Sequence, residues 1–183
     1  MQYKYAWSGV LAVFMALSMA ACGNVPDDQI DHGGMLRVTS IDLTTRDIDA
    51  VRHECDPDTL QLVVAARGTA NFDNAAFTDM PNPPGVKIQG YTIQYTPMDG
   101  GPQLDSFEIE HAFFVPGGGG ASHEVDVLPI PAKLQFEDRV GTDLPRRYTV
   151  RYEFTGRSDY GETVRASHSI SVNLANFDRT TGC

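Results

Sequence analysis

Along residues 144–156 apolar and polar positions alternate without a break: Tyr148, Val150, Tyr152 and Phe154 on one side, Thr149, Arg151, Glu153 and Thr155 on the other. A period of two marks a half-buried β-strand. Beyond the turn-like residues 156–161, Val164, Ala166, His168, Ile170, Val172 and Leu174 oppose Arg165, Ser167, Ser169, Ser171 and Asn173. The two runs predict a hairpin lining a core. Upstream, Leu36 and Val38 share one face and Ile41 and Leu43 the other, so this strand needs a bulge. Leu60, Leu62, Val64 and Ala66 predict a second strand; Tyr91, Ile93 and Tyr95 a third; Phe107, Ile109, His111 and Phe113 a fourth; His123, Val125 and Val127 a fifth; Leu134 and Phe136 a sixth. Residues 68–85, rich in Asn, Asp and Pro, predict a long loop with room for a short strand and holding Phe72 and Phe77, and residues 117–120 a flexible glycine loop. No window keeps a helical period. Seven or eight short strands divided by Gly/Pro turns define an all-β chain, an antiparallel β-sandwich.

The amino terminus follows a different pattern. Residues 1–21 carry one charge, Lys4, and then an apolar run through Ala21 that is short for a membrane span, which predicts an export signal. Once it is removed, residues 35–183 suffice for one domain with a core. The 183-residue chain has 14 Lys and Arg against 24 Asp and Glu, a net charge of −10, and losing Lys4 makes the exported part more acidic still. Such a field repels nucleic acid and anionic head groups, so no nucleic-acid partner is expected.

The signal ends in Leu17-Ser18-Met19-Ala20-Ala21-Cys22. This resembles the lipobox of bacterial lipoproteins, with Met19 where leucine is usual. The resemblance implies cleavage before Cys22, diacylglycerol on its sulfur and an acyl chain such as palmitate on its amine. Gly23 in place of aspartate implies sorting to the outer membrane, facing the periplasm or the cell surface. The alternative is an ordinary secreted protein. Residues 22–34 are then the lipidated terminus and a polar, acidic tether, expected to be flexible, whose residues 23–34 could reach roughly 40 Å.

Leu144, Tyr148, Val150 and Tyr152, followed by Gly161, resemble the sixth strand of fibronectin type III and related immunoglobulin-like domains, where a leucine precedes a corner tyrosine. Residues 91–95 resemble their third strand. The resemblance implies an immunoglobulin-like sandwich with Tyr148 as a structural tyrosine corner, its hydroxyl on backbone near Leu144. The chain departs from that pattern in two ways: Trp7, in the signal, is its only tryptophan, and it is longer than such domains.

Candidate chemistry is sparse. His111, His123 and His168 lie on the apolar register of three strands, an arrangement that could gather imidazoles round a metal, though core histidines bonded to backbone give the same pattern. Ser122, His123 and Glu124 are consecutive on a strand and point to opposite faces, so they cannot act as a triad. No nucleophile elbow, paired-histidine helix motif or Cys-x-x-Cys occurs, and Asp56, Asp58, Asp73 and Asp79 read as turn residues. No cofactor is implied and no enzyme is expected. Two functions remain: a binding, structural or adaptor lipoprotein of the envelope whose partner is a protein or glycan, or a carbohydrate- or small-ligand-binding module using Phe72, Phe77 and Tyr160 as a loop platform. Antiparallel succession brings Cys55 and Cys183, the cysteines left beside Cys22, to one end of the sandwich, which predicts a Cys55–Cys183 disulfide. It puts the tether at the opposite end.

Overall fold

A computed structural model describes residues 36–50, 65–74, 83–140, 144–175 and 177. The chain divides into two compact units, Met1–Ile30 and Asp31–Cys183, and every described residue lies in the second. Its described residues are all-β apart from one short helix. Its elements run β1 (Arg37–Asp42), β2 (Asp47–Asp49), β3 (Ala66–Asp73), β4 (Val86–Pro97), β5 (Phe107–Val115), β6 (Gly120–Leu128), α1 (Ile130–Val140), β7 (Arg146–Ser158) and β8 (Thr163–Ala175).

The strands form two sheets. One is ordered β1-β3-β6 and is antiparallel; the other is ordered β2-β8-β7-β4-β5, antiparallel except that β2 runs parallel to β8. They share one interior. Phe72 of β3 meets Phe154 of β7 edge-on at 5.0 Å and Phe113 of β5 at 5.1 Å, the offset geometries aromatic rings prefer. Burial in β7 alternates over all 13 residues, matching the sequence pattern.

Two bulges correct the period where it slips. The β1–β3 register shifts between Val38 and Ser40, so Leu36, Val38 and Ile41 are all buried although their spacing changes parity, as the sequence required. In β4 the buried set passes from Val86 and Ile88 to Tyr91, Ile93 and Tyr95 through a register shift between Ile88 and Gly90. Gly90 is needed there because a Cβ would sit 2.6 Å from the Ile109 carbonyl oxygen.

Two expectations are corrected. Residues 130–140 are a helix rather than a strand: Pro131 occupies the first turn, where its missing N–H costs nothing, while Ala132, Lys133 and Phe136 supply the buried side. Residues 66–73 form β3, so the strand expected to end at Ala66 runs on to Asp73, into the stretch read as a long loop with room for a short strand. The inward positions Gly68, Ala70 and Phe72 alternate cleanly against Arg67, Thr69, Asn71 and Asp73, but two of the three are too small to register as apolar. Gly68 is small because a side chain there would meet Leu43 and the Asp42 carbonyl. The Leu60–Val64 part of the expected second strand lies outside the described residues.

Candidate functional site

Tyrosine hydroxyls bridge the two sheets. Tyr95 Oη donates to the Val127 carbonyl at 2.7 Å, Tyr152 Oη donates to the Asp126 carbonyl at 3.2 Å, and the Asp126 N–H donates to Tyr91 Oη at 2.8 Å. Burial pushes the Tyr91 phenol up to about 12 and those of Tyr95 and Tyr152 well above the ordinary tyrosine range. These phenols therefore stay neutral near pH 7 and act as crosslinks, not as acids.

The helix end is closed by paired polar groups. Gln135 Nε2 donates to Asp105 Oδ2 at 2.8 Å, the Asp105 N–H donates to Gln135 Oε1 at 3.0 Å, and Arg139 reaches Asp105 Oδ1 at 3.2 Å and the Gln103 carbonyl at 2.6 Å. Asp99 fastens the β4–β5 loop. Its carboxylate accepts from the Arg147 N–H at 3.0 Å, and that bond holds its pKa below the usual carboxylate value.

Tyr148 belongs to this end and corrects an expectation. Its ring is buried, 6.2 Å from Phe136, but its hydroxyl donates at 2.9 Å to the Pro102 carbonyl, in the β4–β5 loop, rather than to backbone near Leu144. Leu144 is itself 62% exposed, so it does not fill the leucine position of a corner. The chain places α1 and a long β4–β5 loop against the start of β7, and that loop supplies the nearest carbonyl.

The opposite end is tied by one buried side chain. Asn74 donates through Nδ2 to the Pro84 carbonyl at 2.9 Å and the Pro116 carbonyl at 3.2 Å, and through its N–H to the Gly119 carbonyl at 3.0 Å. The glycines after Pro116 serve this close approach: a Cβ on Gly117 would run into the Pro83 carbonyl, and Gly118 has φ +70°. They make a seated turn, not the loose loop that four glycines suggested. Gly85 and Asp159 exchange bonds beside it, Asp159 N–H to the Gly85 carbonyl at 3.0 Å and Gly85 N–H to Asp159 Oδ2 at 2.8 Å.

The candidate residues scatter. Phe72 is 3% exposed in the core, Tyr160 is 66% exposed, and Phe77 lies outside the described residues, so Phe72 cannot serve in a loop platform. His123 stacks on Phe113 at 4.0 Å and His111 lies 5.6 Å from the same ring, whereas His168 faces Tyr152 in the β7–β8 register. Among the described residues no three His, Cys, Asp or Glu side chains converge as metal ligands would. Ser122 Oγ donates to Asn71 at 2.6 Å and Glu124 pairs with Arg67 at 2.6 Å on the outer face, away from His123. Cys22, Cys55 and Cys183 lie outside the described residues, as do Asp56, Asp58 and Asp79.

Three residues went unremarked in the sequence. Phe114 is 51% exposed beside buried Phe113, and adjacent aromatics on a strand oblige one to face out. Lys87 and Arg157 stand directly opposite each other across β4 and β7, which only the register reveals.

No family model matches the chain, and no curated protein matches it. Among solved structures it is similar to the solution structure of a late embryogenesis abundant (LEA) protein, at 17% identity and a TM-score of 0.42, over 91% of this chain and 80% of that chain.

Proposed function

We propose that this chain is a lipid-anchored protein of the bacterial outer membrane, facing the periplasm or the cell surface, that acts as a non-enzymatic adaptor through an immunoglobulin-like domain. The observation that carries the reading is the segment ending in Cys22, whose apolar run and small residues fit a lipoprotein signal. The sheet orders β1-β3-β6 and β8-β7-β4-β5 support the immunoglobulin-like assignment, since they follow the two-sheet order of such domains with β2 added along the last strand. The adaptor role draws on the helix end, where Met98, Ile130, Leu134 and Leu144 are exposed. Buried Phe72 removes one leg of the aromatic platform, so the carbohydrate-binding alternative has less behind it.

Mass spectrometry of the mature amino terminus tests the anchor. The expected species begins at Cys22 and carries the mass of diacylglycerol plus one acyl chain. An unmodified Cys22 on protein that stays in the aqueous phase overturns both anchor and address.

A further inference from the structure

Four described strands border the two sheets: β1, β6, β2 and β5. β2 is three residues long, and β1 is six residues long with a register shift between Val38 and Ser40, so neither offers a straight template for another strand. β6 has nine residues, but its outward side chains are already engaged: Glu124 and Asp126 both meet Arg67, at 2.6 and 3.3 Å, and Ser122 Oγ donates to Asn71. β5 is as long as β6 and pairs with β4 alone. Alternate N–H and C=O groups along it therefore point away from the sheet, and among the described residues no other backbone bond reaches them.

The side chains of β5 alternate in kind. Inward Phe107 and Ile109 are half-buried against the core, and outward Glu108, Glu110, Ala112 and Phe114 are exposed. Glu108 stands beside Thr92 of β4 and Glu110 beside Gly90, so neither carboxylate has a cation opposite it, and among the described residues no ion pair reaches either. One strand farther in, Thr92 is flanked by a third carboxylate, Glu153, which turns to Arg165 at 4.0 Å. Lys87 borders this edge only opposite Phe114, about 13 Å along the strand from Glu110.

Charge decides what such an edge accepts. A second copy brings another net charge of −10 and another pair of glutamates. Laid antiparallel on β5 with the pairing centred on residue 108, 109 or 110, it sets carboxylates directly opposite one another, and centred on His111 it leaves the two Glu110 side chains as diagonal neighbours, all of which destabilise a sheet. A strand with Lys or Arg opposite Glu108 and Glu110 reverses the sign of both terms, because it pairs locally and is drawn in by the acidic field of the whole chain. Opposite Ala112 and Phe114, with Lys87 one strand behind, that strand needs uncharged residues, and its inward positions extend the apolar row of Phe107 and Ile109. We propose that β5 is a docking edge for an extended basic segment of a partner protein, which adds a sixth strand to the five-stranded sheet with alternate cations on Glu108 and Glu110. This gives the adaptor a class of partner; it rests on that reading in requiring a protein partner and is independent of the lipid anchor.

The probe is a capped, dye-labelled peptide that alternates valine with outward lysine, lysine, threonine and threonine, titrated by fluorescence anisotropy against the full-length protein in detergent. We expect saturable binding that falls about tenfold with Glu108→Lys and Glu110→Lys together, and by a smaller factor with Glu108→Gln and Glu110→Gln, which keep the shape of the edge. A peptide of the same sequence N-methylated at every second residue, on the side facing β5, keeps its charge but cannot donate to the edge, and should not bind. Methylated peptide that binds as well as the parent overturns strand addition, because charge alone then accounts for the contact. Binding unchanged by the charge reversals, or no binding at all, overturns the docking edge and leaves the lipid anchor standing. Binding lost instead on Leu134→Asp moves the partner to the helix end, which overturns the edge and keeps the adaptor. A chain that sediments as a dimer and excludes the peptide gives the edge to a second copy and overturns the proposal.

Discussion

The two ends of the domain solve the same problem differently. At the helix end Asp105 is matched with Arg139 and Gln135, and Asp99 with backbone N–H groups, while Arg146 Nε is buried without a hydrogen-bond partner among the described residues and Ile130, Leu134 and Leu144 are exposed. At the β1 end one buried asparagine does the fastening, and the surface left over mixes the exposed rings of Phe114 and Tyr160 with charges of both signs, Lys87 and Arg157 beside Asp159 and Glu162. Exposed aliphatics beside paired charges such as Asp105–Arg139 suit a protein partner, because covering them costs little desolvation. One chain with net charge −10 thus presents two unlike ends, and the contrast lies in which charges are paired, not in how many there are.

The largest effect expected is a covalent one. Ala50 N–H donates to the Ala175 carbonyl at 2.9 Å, and β2 runs parallel to β8, so the described residues that precede Cys55 and Cys183 end side by side. We propose on this basis that the two cysteines are disulfide-bonded. A closed loop of that size stabilises by roughly 4 to 5 kcal/mol on the chain-entropy account. Cys55→Ser should lower the melting temperature accordingly, and unfolded, unreduced protein should show no free thiol. Two reactive thiols would sink the proposal.

Next comes the knot at the β1 end. Asn74→Ala removes the N–H groups that serve the Pro84 and Pro116 carbonyls in a residue 1% exposed, and should cost about 2 to 4 kcal/mol. Asn74→Asp keeps the shape but offers a carboxylate to two carbonyls, so it should cost more than alanine, not less. Chemical denaturation of the three proteins decides the matter. If aspartate is the milder change, the amide is not what holds Pro84 to Pro116.

How legible each end was in the sequence follows from side-chain size and range. The β7–β8 hairpin was visible because its inward residues, Tyr148 to Leu174, are large and alternate without interruption. The bulge in β1 was visible because parity breaks between Val38 and Ile41. β3 was hidden because its inward set begins with Gly68 and Ala70, and its outward Asn71 and Asp73 resemble turn residues. α1 was hidden because only Ala132, Lys133 and Phe136 turn inward, too few to set a helical period. The site residues follow the same rule. Exposed Tyr160 could be named from a turn, but the facing of Lys87 and Arg157 depends on a register shifted by the bulge at Gly90, and Asn74 acts through carbonyls that lie 10 and 42 residues away in sequence.

The smallest effect tests whether the helix end is held by a tyrosine in the way the sheets are. Tyr148→Phe deletes the bond to the Pro102 carbonyl and should cost about 1 kcal/mol, the scale of one buried hydrogen bond, while leaving the ring against Phe136. The same residue contributes to alkaline sensitivity, and the sign can be worked out. Burial, and after it the Asp99 charge, raises the Tyr148 phenol above its ordinary value of 10.0, and burial raises Tyr91 to about 12. A phenol that keeps its proton more tightly when folded gives stability that is fully present below about pH 10 and is lost as pH rises toward 12, because only the unfolded chain can then ionise. Wild-type protein should therefore lose stability steeply across that window, with phenolate absorbance appearing together with loss of β-structure. Tyr148→Phe, already weaker at pH 7, should lose less across the same window, so the two stability curves converge as pH rises. Curves that stay parallel would mean that the Tyr148 hydroxyl meets solvent as freely in the folded chain as in the unfolded one, and that Pro102 does not hold it.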